Sequence, residues 1–423
     1  MRILRRLGAY LSPRPEVAPG GAESGPPQAP PRGRKRRVRR PILEGRPTVF
    51  FVVGHGKSGT TWVARLLGSH PDVLCLWEGR LFGREWHRED LGVVEAQVPP
   101  RTLSGAIANS GDLRLWAERS VWARRGDPDE HLRNLTRLAL DYFLDQRLAG
   151  TDKKIVGDKT PFLPGAHTVR EIHDLYPEAR VIHVIRDGHD AEVSWMHHRW
   201  NRSRDQGGIQ VLRPGEAERR EAYREGGGQT LGPGLFDEAE LRARAAQWRE
   251  TVGEATREGP ELLGANYTEV RYEDLLADAP AETARLLRFL GAGAGDEAVG
   301  RCVEAASFEK VSGGRRRGEE DSTSMLRKGV TGDWREAFTE GDRRVFKEEA
   351  GDLLVELGYE KDRGWCPGTP RFRRLAGRPV RRSPGAISSS APALSCCSAR
   401  RVPARSWMPA RPPVAVERRP RRP

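Results

Sequence analysis

The chain has 423 residues and a net charge of +13 at pH 7, and 31% of its residues are charged. A basic excess of this size is typical of proteins that bind nucleic acid, but here it lies in the two ends of the chain, and residues 48–363 between them carry a net negative charge. The charge pattern therefore argues against a core that binds nucleic acid. The length allows one large domain or two small ones.

Both ends of the chain are predicted to be disordered. Residues 1–47 form a basic arm rich in Pro and Gly, and residues 364–423 form a tail rich in Arg, Pro and Ser, compositions that cannot bury a core. Binding of these ends to nucleic acid or to an anionic membrane is less favoured than plain solvation. Residues 48–363 are predicted to form a single domain.

Membrane and metal signals are weak throughout the sequence. No apolar run reaches the roughly 18 residues that a transmembrane helix requires, and the start of the chain lacks the apolar stretch of a secretory signal. The five cysteines follow neither the spacing of metal ligands nor that of a disulfide framework. We expect a cytoplasmic protein without a metal site.

Predicted strands alternate with predicted helices along the domain. An unbroken apolar run at 48–53 is typical of a strand buried on both faces, and a helical pattern follows at 60–69. Further strands are predicted at 154–156, 180–185 and 267–272, and further helices at 130–148, 190–199, 237–251 and 280–290. The alternation predicts a three-layer α/β fold with a central parallel sheet, like that of the P-loop NTPases. The polar, glycine-rich segment 201–234 is predicted to be a mobile loop or lid.

The turn after the first strand carries the clearest functional pattern, GHGKSGTT at 54–61. Its backbone N–H groups and the dipole of the next helix would face an anion, and Lys57 adds a mobile positive charge. Hydroxyl donors that suit phosphate oxygens follow it, at Ser58, Thr60 and Thr61. The pattern predicts a phosphate-binding loop. It departs from GxxxxGK[ST], because Phe51 stands where the first glycine is required, which weakens the alternative of a P-loop kinase using ATP and magnesium.

GKSGTTW after a strand resembles the 5'-phosphate loop of the sulfotransferases, whose donor is 3'-phosphoadenosine 5'-phosphosulfate. Three later motifs follow in the order of that family. IRDG at 185–188, with Ser194, is similar to the 3'-phosphate site of the family. YEDL at 272–275 is similar to the family's YEDL strand end, and RKGVTGDW at 327–334 is similar to the segment that closes over the 3'-phosphate. The resemblance spans 49–339 and is closest to bacterial members, with features of the tyrosylprotein and heparan-type enzymes.

The resemblance implies an enzyme that moves a sulfuryl group from this donor to an acceptor hydroxyl or amine, without a metal. The 5' side of the donor would be held by Gly56, Lys57, Ser58, Gly59, Thr60, Thr61 and Trp62. The 3' side would be held by Arg186, Ser194, Arg327, Lys328 and Gly329. The acceptor stays open between carbohydrate, lipid, phenol and protein tyrosine.

Sulfuryl transfer by in-line displacement needs a base for the acceptor proton and a cation at the departing phosphate oxygen. Lys57 is the predicted cation, and Lys159 is expected near the transferring sulfate. Glu78 resembles the base of the tyrosylprotein enzymes, and Asp158, in DKTP, resembles the EKTP base of the heparan-type enzymes but is shorter. Glu78 is favoured over Asp158, because the shorter side chain of Asp158 displaces its carboxylate by about 1 Å or more from the position of a glutamate carboxylate. Both carboxylates stay candidates.

Two functions from other classes also stay open at this point. A kinase would require magnesium for its activity. A non-catalytic protein that uses its basic ends would bind nucleic acid or membrane in a salt-sensitive way, and its core would have no affinity for the donor.

Overall fold

The computed structural model describes residues 48–84, 102–121, 126–208, 210–225, 234–321, 323–324, 326–362 and 364. The disorder predicted for the two ends of the chain therefore falls outside the described residues, except at Gly364. The strands are β1 (Thr48–Gly54), β2 (Val73–Trp77), β3 (Ile155–Pro161), β4 (Arg180–Ile185) and β5 (Tyr267–Arg271). The helices are α1 (Thr60–Gly68), α2 (Leu103–Ala108), α3 (Gly111–Arg119), α4 (Pro128–Leu148), α5 (Thr168–Leu175), α6 (Gly188–Asn201), α7 (Glu216–Glu225), α8 (Glu238–Leu263), α9 (Tyr272–Ala277), α10 (Ala279–Phe289), α11 (Asp296–Ala305), α12 (Phe308–Val311), α13 (Trp334–Ala337) and α14 (Glu340–Glu356).

The described strands form one parallel sheet in the order β2-β3-β1-β4-β5. The first strand of the chain lies at its centre, where Phe51 pairs with Asp158 of β3 on one side and with Val181 of β4 on the other. Parallel strands end at the same edge of a sheet, and ligands bind beyond that edge. The C-terminal ends of β1, β2, β3 and β4 therefore meet at one edge. These ends and the segments that follow them carry the predicted site residues other than Arg327, Lys328 and Gly329.

Helices cover both faces of this sheet. Phe50 and Val52 of β1 pack with apolar side chains of α1, α10 and α11, and Phe51 and Val53 pack on the opposite face with those of α4 and α5. All four side chains are fully buried, which contributes about 1.5–3 kcal/mol each. Alternate residues of one strand thus serve two cores, and the predicted three-layer α/β fold is confirmed.

The junction between β1 and α1 depends on Gly59. Its φ of +99° lies in the left-handed region, and a Cβ at this position would come within 2.6 Å of the Tyr272 ring. Glycine is the residue that meets both demands. The turn therefore brings the backbone of the predicted phosphate loop directly onto α9.

Helix α8 continues to Leu263, well beyond its predicted end at residue 251. Gly259 and Pro260 are weak helix formers, so the sequence pattern fades there. Packing compensates for this weakness, because a side chain at Gly259 would come within 2.2 Å of the Tyr267 ring. The short strand β2 is missing from the predicted strands, although its five residues form an unbroken apolar run like that of β1.

The segment 201–234 is wrongly predicted as a loop over much of its described part, because it contains α7. Two of its charged residues, Glu216 and Arg220, are buried. Glu216 is almost fully buried and accepts hydrogen bonds from Arg199 Nε and Nη2 at 2.7 and 2.9 Å, and Arg220 Nη1 donates to Ser203 Oγ at 3.1 Å. Residues 226–233 lie outside the described residues.

Candidate active site

The loop between β1 and α1 has the geometry of an anion site. Lys57 has a φ of +69°, Gly59 one of +99°, and the Ser58 N–H donates to the His55 carbonyl at 3.1 Å. Such a turn directs successive N–H groups to one side, ahead of the helix N-terminus. The Ser58 hydroxyl is buried and has no hydrogen-bond partner among the described residues. Buried polar groups of this kind are rare unless a ligand or water satisfies them.

His55 anchors the loop between β1 and α1 through buried hydrogen bonds, a role that the sequence motifs do not indicate. Its ring is almost fully buried, with Nδ1 3.1 Å from Thr251 Oγ1 of α8 and Nε2 3.0 Å from Glu192 Oε1 of α6. Arg244 completes the cluster by donating to the other oxygen of Glu192 at 2.7 Å. The predicted phosphate loop is thereby fixed to the helices α6 and α8.

Arg186 connects the loop to the predicted 3'-phosphate site. It lies directly after β4, is mostly buried, and donates to the Lys57 carbonyl at 3.2 Å and to the Val330 carbonyl at 3.0 Å. Its guanidinium stacks 4.3 Å from the Tyr272 ring, which gives the predicted YEDL motif a structural role. Its Nε is buried without a hydrogen-bond partner among the described residues. Ser194 lies farther along α6 and is partly buried.

The RKGVTGDW segment is held on α6 by Asp190, another residue that the sequence motifs do not indicate. Asp190 accepts hydrogen bonds from the Gly332 N–H at 2.7 Å and the Trp334 N–H at 3.1 Å. Gly329 has a φ of +67°, and a Cβ there would come within 2.6 Å of the Phe308 ring. Arg327, Lys328 and Gly329 therefore reach the same side of the sheet edge as Arg186.

A cavity of about 290 Å³ opens between α1 and α12. Trp62 and Phe308 line it, and the Arg317 guanidinium lies 4.7 Å from the Trp62 ring and 5.7 Å from the Phe308 ring. Trp62 also meets the Tyr272 ring at 5.5 Å. The predicted site includes Trp62 and lacks Phe308 and Arg317, because no local pattern links these positions to a loop more than 240 residues earlier. Two aromatic rings and a guanidinium suit a planar base.

Glu78, directly after β2, meets Lys159 near the C-terminal end of the neighbouring strand β3. The Lys159 ammonium donates to Glu78 Oε1 and, at 3.2 Å, to Thr61 Oγ1 of the phosphate loop. The Lys159 side chain is 3% exposed and that of Glu78 is 59% exposed. Glu78 is also held in the left-handed region, with a φ of +50°. The structure thus brings both predicted residues together and leaves the carboxylate of Glu78 accessible from solvent.

Asp158 lies close by but is enclosed. Its side chain is fully buried, its two oxygens accept from the Gly79 N–H at 3.1 and 3.3 Å, and Oδ2 accepts from Thr160 Oγ1 at 2.8 Å. Burial raises the pKa of Asp158 to about 6. These contacts fix the turn that follows Glu78.

The electrostatics of the centre are dominated by positive charge. Burial, together with the charges of Arg186 and Lys159, lowers the pKa of Lys57 to about 8. Burial alone would raise the pKa of Glu78, but the hydrogen bond from Lys159 lowers it overall, so this group is a carboxylate at neutral pH. Burial and the charge of Lys57 lower the pKa of His198 on α6 to about 4, so this imidazole is neutral at pH 7.

Within the described part of the chain, no group of three or more His, Cys, Asp or Glu side chains is arranged to hold a metal ion. The same residues contain no helix that is both long enough and apolar enough to span a membrane.

Two family models match the chain, one described as "Sulfotransferase family" over residues 47–225 and one as "Sulfotransferase domain" over residues 168–357. The nodulation protein NoeE of Sinorhizobium fredii is 29% identical over 147 residues, which cover 33% of this chain and 29% of that protein. The match therefore spans less than a third of that relative.

Solved structures of other proteins resemble this chain over part of its length. One is a mouse sulfotransferase complexed with PAP, at 17% identity and a TM-score of 0.39, covering 75% of this chain and 90% of that chain. Another is a sulfotransferase from Mycobacterium avium, at 13% identity and a TM-score of 0.38, covering 74% of this chain and 77% of that chain.

Proposed function

The chain belongs to the sulfotransferase family, and we propose that it transfers the sulfuryl group of 3'-phosphoadenosine 5'-phosphosulfate to an acceptor hydroxyl or amine. One observation carries the proposal. Two separate anion sites, the loop at Lys57 and the cluster at Arg186, are bridged by the hydrogen bond between these two residues and lie beside an aromatic cavity. This combination suits a nucleotide that carries phosphate on both sides of its ribose. We propose residues 48–363 as the catalytic domain.

The donor would be held by residues from four parts of the chain. The 5' side lies on the loop Gly56–Thr61, whose buried Ser58 hydroxyl and turned N–H groups suit phosphate oxygens. The adenine lies between Trp62 and Phe308. The 3'-phosphate is bound by the side chains of the second anion site, Arg186, Ser194, Arg327 and Lys328, and by the backbone at Gly329.

In the proposed reaction the acceptor oxygen or nitrogen attacks the sulfur while the bond from sulfur to the bridging phosphate oxygen breaks. The spent donor, 3'-phosphoadenosine 5'-phosphate (PAP), leaves with that electron pair. Glu78 takes the acceptor proton, because its carboxylate is ionised and accessible. Lys57 supplies positive charge to the departing oxygen. Lys159, bound to both Glu78 and Thr61, aligns the base with the phosphate loop.

A location in the cytoplasm belongs to the same proposal. It is supported by Cys75 and Cys302, which are buried free thiols. Thiols stay reduced in the cytoplasm. The acceptor is proposed only as a hydroxyl or amine.

Calorimetric titration with nucleotides tests the donor class. We expect the full-length chain to bind PAP with micromolar affinity without magnesium, and ATP far more weakly, because ATP has no 3'-phosphate for Arg186 and Arg327. The Arg186→Ala variant should lose most of the PAP affinity and little of the ATP affinity. Tighter, magnesium-dependent binding of ATP would contradict the proposal and favour a kinase.

Replacement of Phe308 by alanine should weaken PAP binding by about 1–3 kcal/mol, because a base stacked on an aromatic ring loses that contact. Trp62→Ala should have a similar effect. The control is Trp116→Ala, which removes an exposed indole on α3 outside the cavity. If the Phe308→Ala and Trp116→Ala variants bound PAP with equal affinity, the adenine would have to lie elsewhere.

A further inference from the structure

Glu320 binds both cations that are assigned to the 3'-phosphate. Its Oε1 accepts a hydrogen bond from Arg327 Nη1 at 2.9 Å, and its Oε2 lies 3.0 Å from Lys328 Nζ. The two oxygens of one carboxylate thus meet one cation each, as two oxygens of a phosphate group would. Nothing in the sequence motifs of the family resemblance includes Glu320.

A second carboxylate in the cluster has a different character. Asp333 also pairs with Arg327 and, at 2.8 Å, with Lys328, but its side chain is only 9% exposed and directly precedes α13. The Glu320 side chain is 39% exposed. Asp333 is therefore a fixed part of the segment, whereas the carboxylate of Glu320 can rotate into solvent when another anion takes its place.

The backbone keeps Glu320 beside the two cations. On one side of it the Gly318 N–H donates to the Lys328 carbonyl at 2.9 Å, and on the other the Asp321 N–H donates to the Arg327 carbonyl at 3.1 Å. The side chain is thus tethered within reach of the ion pairs. A displaced carboxylate in this position can return as soon as the competing anion leaves.

We propose that Glu320 competes with the 3'-phosphate of the nucleotide for Arg327 and Lys328, and so lowers the affinity for PAP and speeds its release. This inference rests on the proposed function, which places the 3'-phosphate at these two cations. A phosphate monoester carries more negative charge than a carboxylate and displaces it. A nucleotide without a 3'-phosphate leaves the pairs of Glu320 intact.

The test compares the full-length wild type with Glu320→Gln and with the matched control Glu319→Gln. Glu319 is the adjacent glutamate and accepts a hydrogen bond from the Arg316 N–H at 2.9 Å, away from both cations. Each protein is titrated with PAP and with adenosine 5'-phosphate. We expect Glu320→Gln to bind PAP about three- to tenfold more tightly and to release it more slowly, since two partly exposed ion pairs no longer oppose binding. Adenosine 5'-phosphate should bind all three proteins equally.

Unchanged PAP affinity in a folded Glu320→Gln variant would overturn the inference. An equal increase in the affinities for PAP and for adenosine 5'-phosphate would also overturn it. If Glu320→Gln has a lower melting temperature than the wild type, Glu320→Asp serves as the second test, because it keeps the charge and shortens the side chain. Competition predicts tighter PAP binding in that variant as well, and wild-type affinity there would overturn it. A wild type that binds no PAP would overturn the proposed function and this inference together.

Discussion

Replacement of Lys57 by alanine should lower kcat by about 10²- to 10³-fold, because the departing phosphate oxygen loses the positive charge that stabilises it. The measurement is a single-turnover assay of sulfuryl transfer at saturating donor. Lys154→Ala is the matched control, since this exposed lysine lies at the opposite end of the β3 region and pairs with Asp72 at 3.6 Å. A Lys57→Ala variant that turned over at the rate of the control would show that another group stabilises the leaving oxygen.

The pH dependence supplies an independent check on Lys57. Its pKa is lowered to about 8, so the protonated, positively charged form predominates below that pH and is lost above it. In the wild type, kcat/KM for the donor should therefore fall as the pH rises past about 8, since this parameter reports the free enzyme. In Lys57→Arg the fall should move to higher pH, because a guanidinium stays protonated. The same profile in both proteins would assign the fall to another group.

Replacement of Glu78 by glutamine should lower kcat by about 10²- to 10⁴-fold, the usual contribution of a general base, while PAP affinity changes little. Glutamine keeps the shape of the side chain but cannot take the acceptor proton. Glu78→Asp should retain part of the activity, since it keeps a carboxylate and withdraws it by one methylene. Wild-type turnover in Glu78→Gln would exclude Glu78 as the base.

The comparison with Asp158→Asn decides between the two candidate carboxylates. Asp158 is buried and accepts the Gly79 N–H, so its replacement should lower the free energy of unfolding by about 1–3 kcal/mol and reduce kcat less than Glu78→Gln does. The measurements are thermal unfolding and turnover of both variants. An Asp158→Asn variant with normal stability and a greater loss of kcat than Glu78→Gln would reverse the assignment.

Much of the fold could be predicted because its signals are local. The apolar run of β1, the glycine turn and the helix that follows occupy consecutive positions, and each is specified by its own residues. The family prediction is confirmed by the two family models, and the predicted parallel sheet is confirmed by the pairing of the five described strands. Helix α7 is the contrasting case, because the burial of its Glu216 depends on Arg199, a partner outside the helix.

By itself the sequence predicted the phosphate loop at Lys57, the order of the motifs and four of the five described strands, because each of these is a pattern of neighbouring residues. Only the tertiary structure decided that Asp158 is enclosed while Glu78 is accessible, that Phe308 and Trp62 line one cavity, and that Glu320 pairs with Arg327 and Lys328. The physical reason is that these roles arise from burial and from contacts that the fold creates. The residues next to a carboxylate or an aromatic ring in the sequence do not show which distant side chain will pair with it or cover it.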